Sequence, residues 1–203
     1  MLVTDIRKID DKRYCLYIDY EPYASVYSSD IRRLHLKIGE DIDDLALAQF
    51  RQEYLYKRAL NKAINSIKFS DKCEYDIRQK LSDLYYDEEI IDFTLEKLRS
   101  YGYVDDLRYA GGYIRRHAAK KGHRVISYEL AMKHISQDII EQAFAEADMP
   151  DEMDTIKRIL HRRYSVADLK DSRQKVLAYM SGKGFNHRKV AECMRNLISD
   201  ADE

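Results

Sequence analysis

The first 42 residues alternate short apolar runs with polar, mostly acidic turns. The runs are rich in β-branched and aromatic residues and cover residues 3–9, 14–18 and 23–27. Runs of this length between turns predict a small antiparallel sheet, and so small a sheet needs neighbouring helices for support. A capped helical turn is expected at residues 29–34, with Gly39 as its stop.

From Asp43 onward the apolar residues recur at helical spacing, and the low Gly and Pro contents, 7 and 2, also favour helices. A second helix is expected after N-cap residues at 70–71, and a third between Asp87 and Gly102. The first helix is expected to run to about Ile67, and its apolar positions are Leu45, Leu47, Ala48, Tyr54, Leu55 and Ala59.

The second and third of these helices recur 99 residues later without a gap. Ile77, Leu81, Ile91, Leu95 and Leu98 align with Val176, Met180, Val190, Met194 and Leu197. A middle copy carries Leu130, His134 or Ile135, Ile140 and Phe144. The repeat predicts three three-helix modules that start near Ala59, Asp106 and Met153. The alternative is the self-similarity that any helical protein shows.

The predicted fold class is therefore mainly α, with tandem three-helix modules after a small β-rich N-terminal segment. Stacked modules of this kind form an elongated, curved array. The predicted parts are the β-rich segment at residues 1–42, module one with its lead-in helix at 43–106, module two at 107–152 and module three at 153–203.

Charge is balanced over the whole chain but not along it. The 35 basic and 36 acidic residues give a net charge of −1, so any attraction to nucleic acid must be local. Residues 107–124 and 172–191 hold six and five Lys or Arg residues and no acid. A solvated helix face would explain one such run more easily than two. The candidate DNA- or filament-binding residues are Arg115, Arg116, Lys120, Lys121, Arg124, Arg162, Arg163, Lys183 and Arg188.

The cations of the first run are expected to lie largely exposed, because burying an unpaired charge is costly. Arg116 and Lys120 are four residues apart, so they share one face of a helix. This spacing predicts a basic surface for phosphates or for an acidic groove of a partner.

The sequence lacks the motifs of catalysis and of cofactor binding. It contains no G-x-x-x-x-G-K-[ST], no G-x-S-x-G and, among six histidines, no pair at metal-ligand spacing. Asp105 and Asp106 could hold Mg²⁺, but their place before a predicted helix fits N-capping better. Gly111 and Gly112 inside a helical pattern predict close approach of another helix, with a hinge as the alternative. We therefore expect no catalytic residue, no cofactor and no metal.

The three cysteines lie far apart, which predicts ordinary buried thiols in a reducing compartment. The N-terminus carries acids where a signal peptide needs an apolar core. No apolar run approaches the roughly 20 residues that span a bilayer. A soluble, cytoplasmic protein is expected.

Three stretches resemble motifs of the RecX family of regulatory proteins. GYVDDLRYA at residues 102–110 is similar to the family pattern G-[apolar]-[apolar]-D-D-x-R-[FY]-A. Residues 121–134 are similar to the family's KG…eL..KGI stretch, with His134 where the family usually has Gly, and residues 179–185 resemble yL..kGF. The motifs follow the family order over residues 59–199.

The resemblance implies a β-rich N-terminal extension, tandem three-helix modules, no enzyme activity and no cofactor. It also implies a regulator of the RecA recombinase that docks along the RecA–DNA filament and acts in homologous recombination, DNA repair and the SOS response. Such a regulator inhibits strand exchange, ATP hydrolysis and the co-protease role of the filament. The expected partners are RecA and single-stranded DNA, with double-stranded DNA as a further candidate, for a monomer that binds no membrane. The alternative is a stand-alone helical nucleic-acid-binding protein that acts without a recombinase.

Overall fold

The structure, a computed structural model, describes residues 1–202 and begins with a three-stranded antiparallel sheet. The strands lie in sequence order: β1 Val3–Lys8, β2 Arg13–Ile18 and β3 Glu21–Tyr27. Between β2 and β3, Asp19 and Tyr20 have positive φ, 50° and 72°, as the type I′ turn of a tight hairpin requires. The predicted β-rich N-terminal segment is confirmed.

The short helix after the sheet ends earlier than predicted. It is α1 Ser28–Arg33, and Gly39 lies in a separate turn with φ +86°. The Gly39 N–H donates to the Val3 carbonyl oxygen at 2.8 Å, and the Val3 N–H donates to that of Glu40 at 3.0 Å. Gly39 therefore returns the chain to β1, in a left-handed conformation that costs glycine little, and does not stop the helix.

Residues 44–67 form one continuous helix with a π-helical segment in its middle. Its parts are α2 Asp44–Phe50, the π segment Arg51–Leu55 and α3 Tyr56–Ile67. The Asp43 carboxylate caps it by accepting the N–H of Leu45. Leu47 is buried, but Leu45 is 65% exposed because two helix positions are about 200° apart. The predicted helix to residue 67 is confirmed, and the placing of Leu45 and of exposed Ala48 on its apolar face is wrong.

The later helices occur as three pairs, each preceded by another helix. The pairs are α4 Glu74–Ser82 with α5 Glu88–Ser100, α7 His123–Ala131 with α8 Gln137–Glu146, and α11 Arg173–Gly182 with α12 His187–Asp202. The preceding helices are α3, α6 Asp106–His117 and α9 Glu152–Arg163. Both helices of the third pair begin 99 residues after those of the first, so the tandem three-helix repeat is confirmed.

The third module also contains a helix that the repeat did not predict. It is α10 Val166–Asp171, which lies between α9 and α11. A capping box starts it, because the Ser165 hydroxyl accepts the Asp168 N–H while the Asp168 carboxylate accepts the Ser165 N–H. The third module therefore has four helices.

The same turn joins the two helices of every pair. Its left-handed residues are Tyr85, His134 and Gly184, with φ of 62°, 58° and 88°. The residue that follows each of them is buried, and its N–H donates back to the carbonyl of a buried residue five positions earlier, at 3.1–3.3 Å. In the middle copy this buried residue is Ile135, so Ile135 and not His134 continues the apolar pattern.

Four of the five repeat positions of the third module are buried, as are all five of the first. Leu197, the equivalent of Leu98, is only partly buried. The apolar repeat therefore marks the module cores, with Leu197 at the edge of its core.

The second helix of module one begins later than predicted. Cys73, and neither Ser70 nor Asp71, occupies the N-cap position of α4. Residues 70 and 71 are exposed, whereas Cys73 is fully buried. Burial of Cys73 therefore fixes the helix start and overrides the capping preference of the two polar residues.

The expected close approach of another helix at Gly111 and Gly112 is wrong. The nearest atoms to a Cβ added at either glycine, apart from the backbone of α6 and the chain neighbours, are guanidinium atoms of Arg115 and Arg116, at 3.3–3.9 Å. The two glycines thus leave room for these side chains to fold back over their own helix.

The chain forms two compact units, unit 1 from Met1 to Asp105 and unit 2 from Asp106 onward. In unit 1 the sheet and the helices share one buried cluster, which contains Val3 and Leu16 together with Ile77 and Leu98. The sheet is thus supported by helices, as predicted. In unit 2, the third module has a buried cluster that includes Ile156, Leu160, Val176, Phe185 and Met194. The finer division at residues 107 and 153 stays a prediction.

The described residues offer few groups for covalent or metal chemistry. The side chains of Cys15, Cys73 and Cys193 are buried. Over residues 1–202, no three His, Cys, Asp or Glu side chains come together as a metal site. Within the same range, no helix has both the length and the apolar character needed to cross a bilayer.

Candidate nucleic-acid interface

A groove of about 410 Å³ on unit 2 gathers three of the predicted cations. Lys120, Arg162 and Lys183 line it, together with Arg158 and the ring of Tyr179. We call these five residues the basic groove. Ala119 and Ile159 complete its lining, so no Asp or Glu of the described chain lines it.

The groove forms where the ends of three helices meet. Lys120 follows the C-terminus of α6, Arg162 lies in the last turn of α9, and Lys183 is the C-cap of α11. Helix C-termini carry partial negative charge, so cations at these positions stabilise the fold. The same three cations are thereby brought to one surface.

Arg158 ties α9 to the chain segment after α6. Its guanidinium donates to the carbonyl oxygen of Ala119 at 3.3 Å. Arg158 and Arg162 are one helical turn apart on α9, so both side chains lie on the same face. This arrangement sets two guanidinium groups along one wall of the basic groove.

Tyr179 supplies an aromatic surface beside these cations. The Arg163 guanidinium lies 4.3 Å from the Tyr179 ring centroid, and the Lys183 ammonium lies 5.7 Å from it. The ring of Tyr164 meets Tyr179 edge-on at 6.3 Å. Arg163 is thus held next to the basic groove by stacking, at a distance typical of a cation–π contact.

Arg124 and Arg188 lie away from the basic groove lining. Arg124 donates to the Ser181 carbonyl oxygen at 2.8 Å and lines a separate groove of about 440 Å³ with His123 and His187. Arg188 is exposed in the first turn of α12, where its N–H donates to the Asn186 side chain. The structure does not bring these two cations together with Lys120 and Arg162.

Arg115 and Arg116 are exposed on α6, as expected, but neither lines the basic groove. Lys120 and Arg124 are also exposed. Lys121 differs, because its ammonium pairs with Glu129 and only 26% of its side chain is exposed. The expectation that all five cations of this stretch lie largely exposed is therefore wrong for Lys121.

The partners of Lys121 form a small polar cluster on unit 2. The Tyr113 hydroxyl also donates to Glu129, at 2.9 Å. Burial opposes the charged form of Glu129, but the hydrogen bonds from Lys121 and Tyr113 outweigh it and lower the pKa of Glu129. Burial and the hydrogen bond to Glu129 raise the pKa of Tyr113 to about 12, and burial together with Lys121 lowers the pKa of His117. Lys121 is thus committed to a carboxylate within the fold.

Arg158 and Tyr179 are groove residues that the sequence analysis missed. Arg158 lies between the two acid-free stretches and outside both, so counting charge by blocks did not single it out. Its spacing of four from Arg162 was the signal that could have found it. Tyr179 lies between apolar residues of α11, and its place beside two cations follows only from the fold.

Two family models match the helical modules of this chain. The model of the first three-helix domain of RecX matches residues 59–98, and that of the second matches residues 105–143. The "Regulatory protein RecX" of Clostridium tetani is 29% identical over 201 residues, which cover 96% of this chain and 92% of the relative. The chain is similar to RecX over almost its whole length. The RecX protein of Clostridioides difficile is 26% identical and covers 98% of this chain and 96% of its own.

Solved RecX structures share the fold. A crystal structure of the regulatory protein RecX is 23% identical, has a TM-score of 0.60 and covers 98% of both chains. The crystal structure of RecX from Lactobacillus salivarius is 24% identical, has a TM-score of 0.59 and covers 70% of this chain and 96% of its own. The predicted RecX resemblance is thereby confirmed.

Proposed function

We propose that this RecX-like protein binds the filament that RecA forms on single-stranded DNA and inhibits its recombinase, ATPase and co-protease activities. The similarity to RecX supports a regulatory role, since these relatives carry the name of regulatory protein. The basic groove is the observation that carries the DNA contact, because four cations there surround a groove without a carboxylate. The protein acts as a monomer in the cytoplasm, without enzyme activity of its own.

The chemistry of the basic groove suits a phosphate backbone with exposed bases. Lys120 and Arg162 are exposed and make no ion pair with a described residue, so a phosphate would not have to displace a carboxylate from them. Tyr179 adds a π-face beside Arg163 and Lys183, and single-strand binding proteins combine such rings with cations. Contacts to phosphates do not depend on the base sequence of the DNA. A protein that binds a filament needs this property, because the filament forms on DNA of any sequence.

The first test is ATP hydrolysis by RecA on single-stranded DNA, with and without this protein at substoichiometric amounts. We expect hydrolysis to fall well below that of RecA alone. Unchanged hydrolysis, together with salt-sensitive binding to bare single strands, would instead identify a nucleic-acid-binding protein that acts without a recombinase.

The second test reverses two charges of the basic groove, Lys120→Glu with Arg162→Glu. We expect binding to a single-stranded oligonucleotide to weaken by more than about tenfold at low salt. The salt slope, which is the slope of the logarithm of the binding constant against the logarithm of the salt concentration, should flatten by about 0.7 for each phosphate that the variant no longer binds. The matched control, Arg173→Glu with Lys175→Glu, makes the same charge change at exposed cations of α11 that do not line the groove. Equal losses from both pairs would show that net charge, and no defined groove, drives the binding.

A further inference from the structure

Unit 1 carries an aromatic side chain that its fold does not use. Phe69 lies in the turn between α3 and α4 and is 90% exposed. A phenylalanine this exposed gains almost nothing from packing, so the stability of unit 1 does not explain it. It borders a groove of about 690 Å³ that is also lined by Arg13, Lys62, Lys72 and Lys80. We call these five residues the Phe69 groove.

The four cations of the Phe69 groove differ in whether they are held in an ion pair. Arg13 pairs with Asp10, the one carboxylate among the described lining residues, so these two charges cancel. Lys62, Lys72 and Lys80 make no ion pair with a described residue, although Lys72 and Lys80 also border an adjoining groove that contains Asp76 and Asp83. Three lysine ammonium groups around the exposed ring are therefore not committed to a carboxylate. Lys62 comes from α3 and Lys80 from α4, so packing of the two helices holds the charges near one another.

We propose that the Phe69 groove is a second contact site for single-stranded DNA, in which a base stacks on Phe69 while Lys62, Lys72 and Lys80 hold the neighbouring phosphates. The inference rests on the proposed function for its choice of DNA as the partner. A single strand is required because the bases of a duplex are stacked on one another and offer no free face to a ring on the protein surface. Aromatic rings beside lysines are the arrangement by which proteins bind single strands without sequence preference.

A protein partner fits the Phe69 groove less well. The anchor of a protein interface lies in an apolar, desolvated surrounding, whereas Leu84 is the only other large apolar residue among the described residues of this lining. Asn65 and Ser70 add exposed polar groups next to the ring. Lysines around a lone ring complement a strand of phosphates and bases.

The absence of tryptophan from this chain permits a direct test. In Phe69→Trp, the new indole is the only one, and base stacking on it quenches its fluorescence. We expect strong quenching when the full-length variant is saturated with a 20-nucleotide oligothymidylate, and little with an abasic strand of equal length. Saturation is followed independently by the anisotropy of a dye on the oligonucleotide. Unchanged Trp fluorescence at saturation would overturn the proposal.

Binding measurements on two further variants complete the test. Phe69→Ala should raise the Kd for oligothymidylate at least about fivefold, the lower end for loss of one stacked base, while Phe69→Trp should bind about as well as the wild type. Lys72→Gln with Lys80→Gln should flatten the salt slope by about 0.7 for each phosphate that these lysines no longer hold. Tyr20→Ala is the matched control, because Tyr20 is 81% exposed and does not line the groove.

The outcomes separate this inference from the proposed function. If Phe69→Ala binds DNA as tightly as the wild type, the inference is overturned and the proposed function stays in place. If Phe69→Ala also lost inhibition of RecA while binding DNA normally, the groove would be a protein-binding surface, which again overturns the inference. A wild-type chain that binds no oligothymidylate at all would overturn the inference and the DNA contact assigned to the basic groove, whereas inhibition of RecA is decided separately by the ATP hydrolysis test.

Discussion

Asp30 is a fully buried carboxylate whose charge is matched within the fold. Its oxygens accept two hydrogen bonds from the Arg58 guanidinium, one of them at 2.9 Å, and one from the Tyr27 N–H at 2.9 Å. Burial opposes the charged form, but the bonds from Arg58 and Tyr27 outweigh it and lower the pKa of Asp30. The pair therefore links the first helix of unit 1 to α3.

The first prediction concerns this ion pair. Asp30→Asn should lower the free energy of unfolding by about 3 kcal/mol at pH 7, the lower end for breaking a buried pair, because Arg58 keeps 23% of its side chain exposed. Since the pKa of Asp30 is lowered in the fold, its contribution is fully present above the ordinary value of 3.8 and is lost as pH falls below it. Urea unfolding between pH 7 and pH 3 should thus show the difference between the two proteins shrink at the acid end.

Asp11→Asn serves as the control for this prediction. Asp11 is 98% exposed beside Lys8, and surface changes of this kind stay within about 0.5 kcal/mol. A loss in Asp30→Asn that is no larger than in Asp11→Asn would contradict the assigned role of the buried pair.

Single charged residues are where sequence reasoning was weakest. The chain shows Asp30 in a capping position and Lys121 in a basic run, and both would be expected at the surface. Their burial depends on Arg58, 28 residues away, and on Glu129, eight residues away on the next helix. Pairing over such distances is set by the fold, so charge patterns alone could not predict it.

At the scale of elements, the start of α7 touches the turn that precedes α12. The Gly122 N–H donates to the Lys183 carbonyl oxygen at 2.9 Å. A Cβ added at Gly122 would lie 2.3 Å from the Gly184 carbonyl oxygen. Modules two and three therefore meet backbone to backbone at a point where only glycine fits.

The second prediction tests this close approach. Gly122→Ala should destabilise the protein by about 2 kcal/mol or more, because the added methyl group meets backbone that cannot move aside like a side chain. The φ of Gly122 is −79°, a value that alanine adopts readily, so the effect would be steric and not conformational. Denaturant unfolding measures the loss of stability.

Gly182→Ala is the matched control within the same unit. Gly182 ends α11, and a Cβ there would meet no described atom within 4 Å. Alanine in place of this helical glycine should be neutral or stabilise by up to about 1 kcal/mol. Equal destabilisation by both substitutions would rule out the close approach as its cause.

The elements themselves could largely be predicted from the sequence, because apolar spacing reports helix faces directly. The 99-residue repeat located the second and third helices of two modules. Two of the three inter-helix turns were hidden, because Tyr85 and His134 adopt the left-handed conformation for which glycine is the usual signal. Three of the five residues of the basic groove were among the predicted cations. Their meeting in one groove could not be predicted, because they come from three helices whose ends meet only in the folded chain.

At the scale of the whole molecule, each unit has buried residues of its own. The unit 1 cluster ends at Val104, and the cluster of the third module begins at Ile156. The sequence predicted a mainly helical chain with a β-rich start that needs helices for support, but counting repeats could not show which helices share a core with the sheet. That grouping depends on which buried side chains touch, and the apolar pattern along the chain does not encode it.

The last prediction is that residues 1–105 and 105–203 fold as separate proteins. Each piece has about 100 residues, enough to bury a core without disulfides or metals. Both pieces keep Asp105, so that α6, which begins at Asp106, retains its N-terminal neighbour. We expect each to show helical circular dichroism and a single cooperative urea transition, with Asp30→Asn destabilising the first piece and Gly122→Ala the second. A piece that is helical but melts without cooperativity would show that its core is completed only in the full chain, and the two units would then be one folding unit.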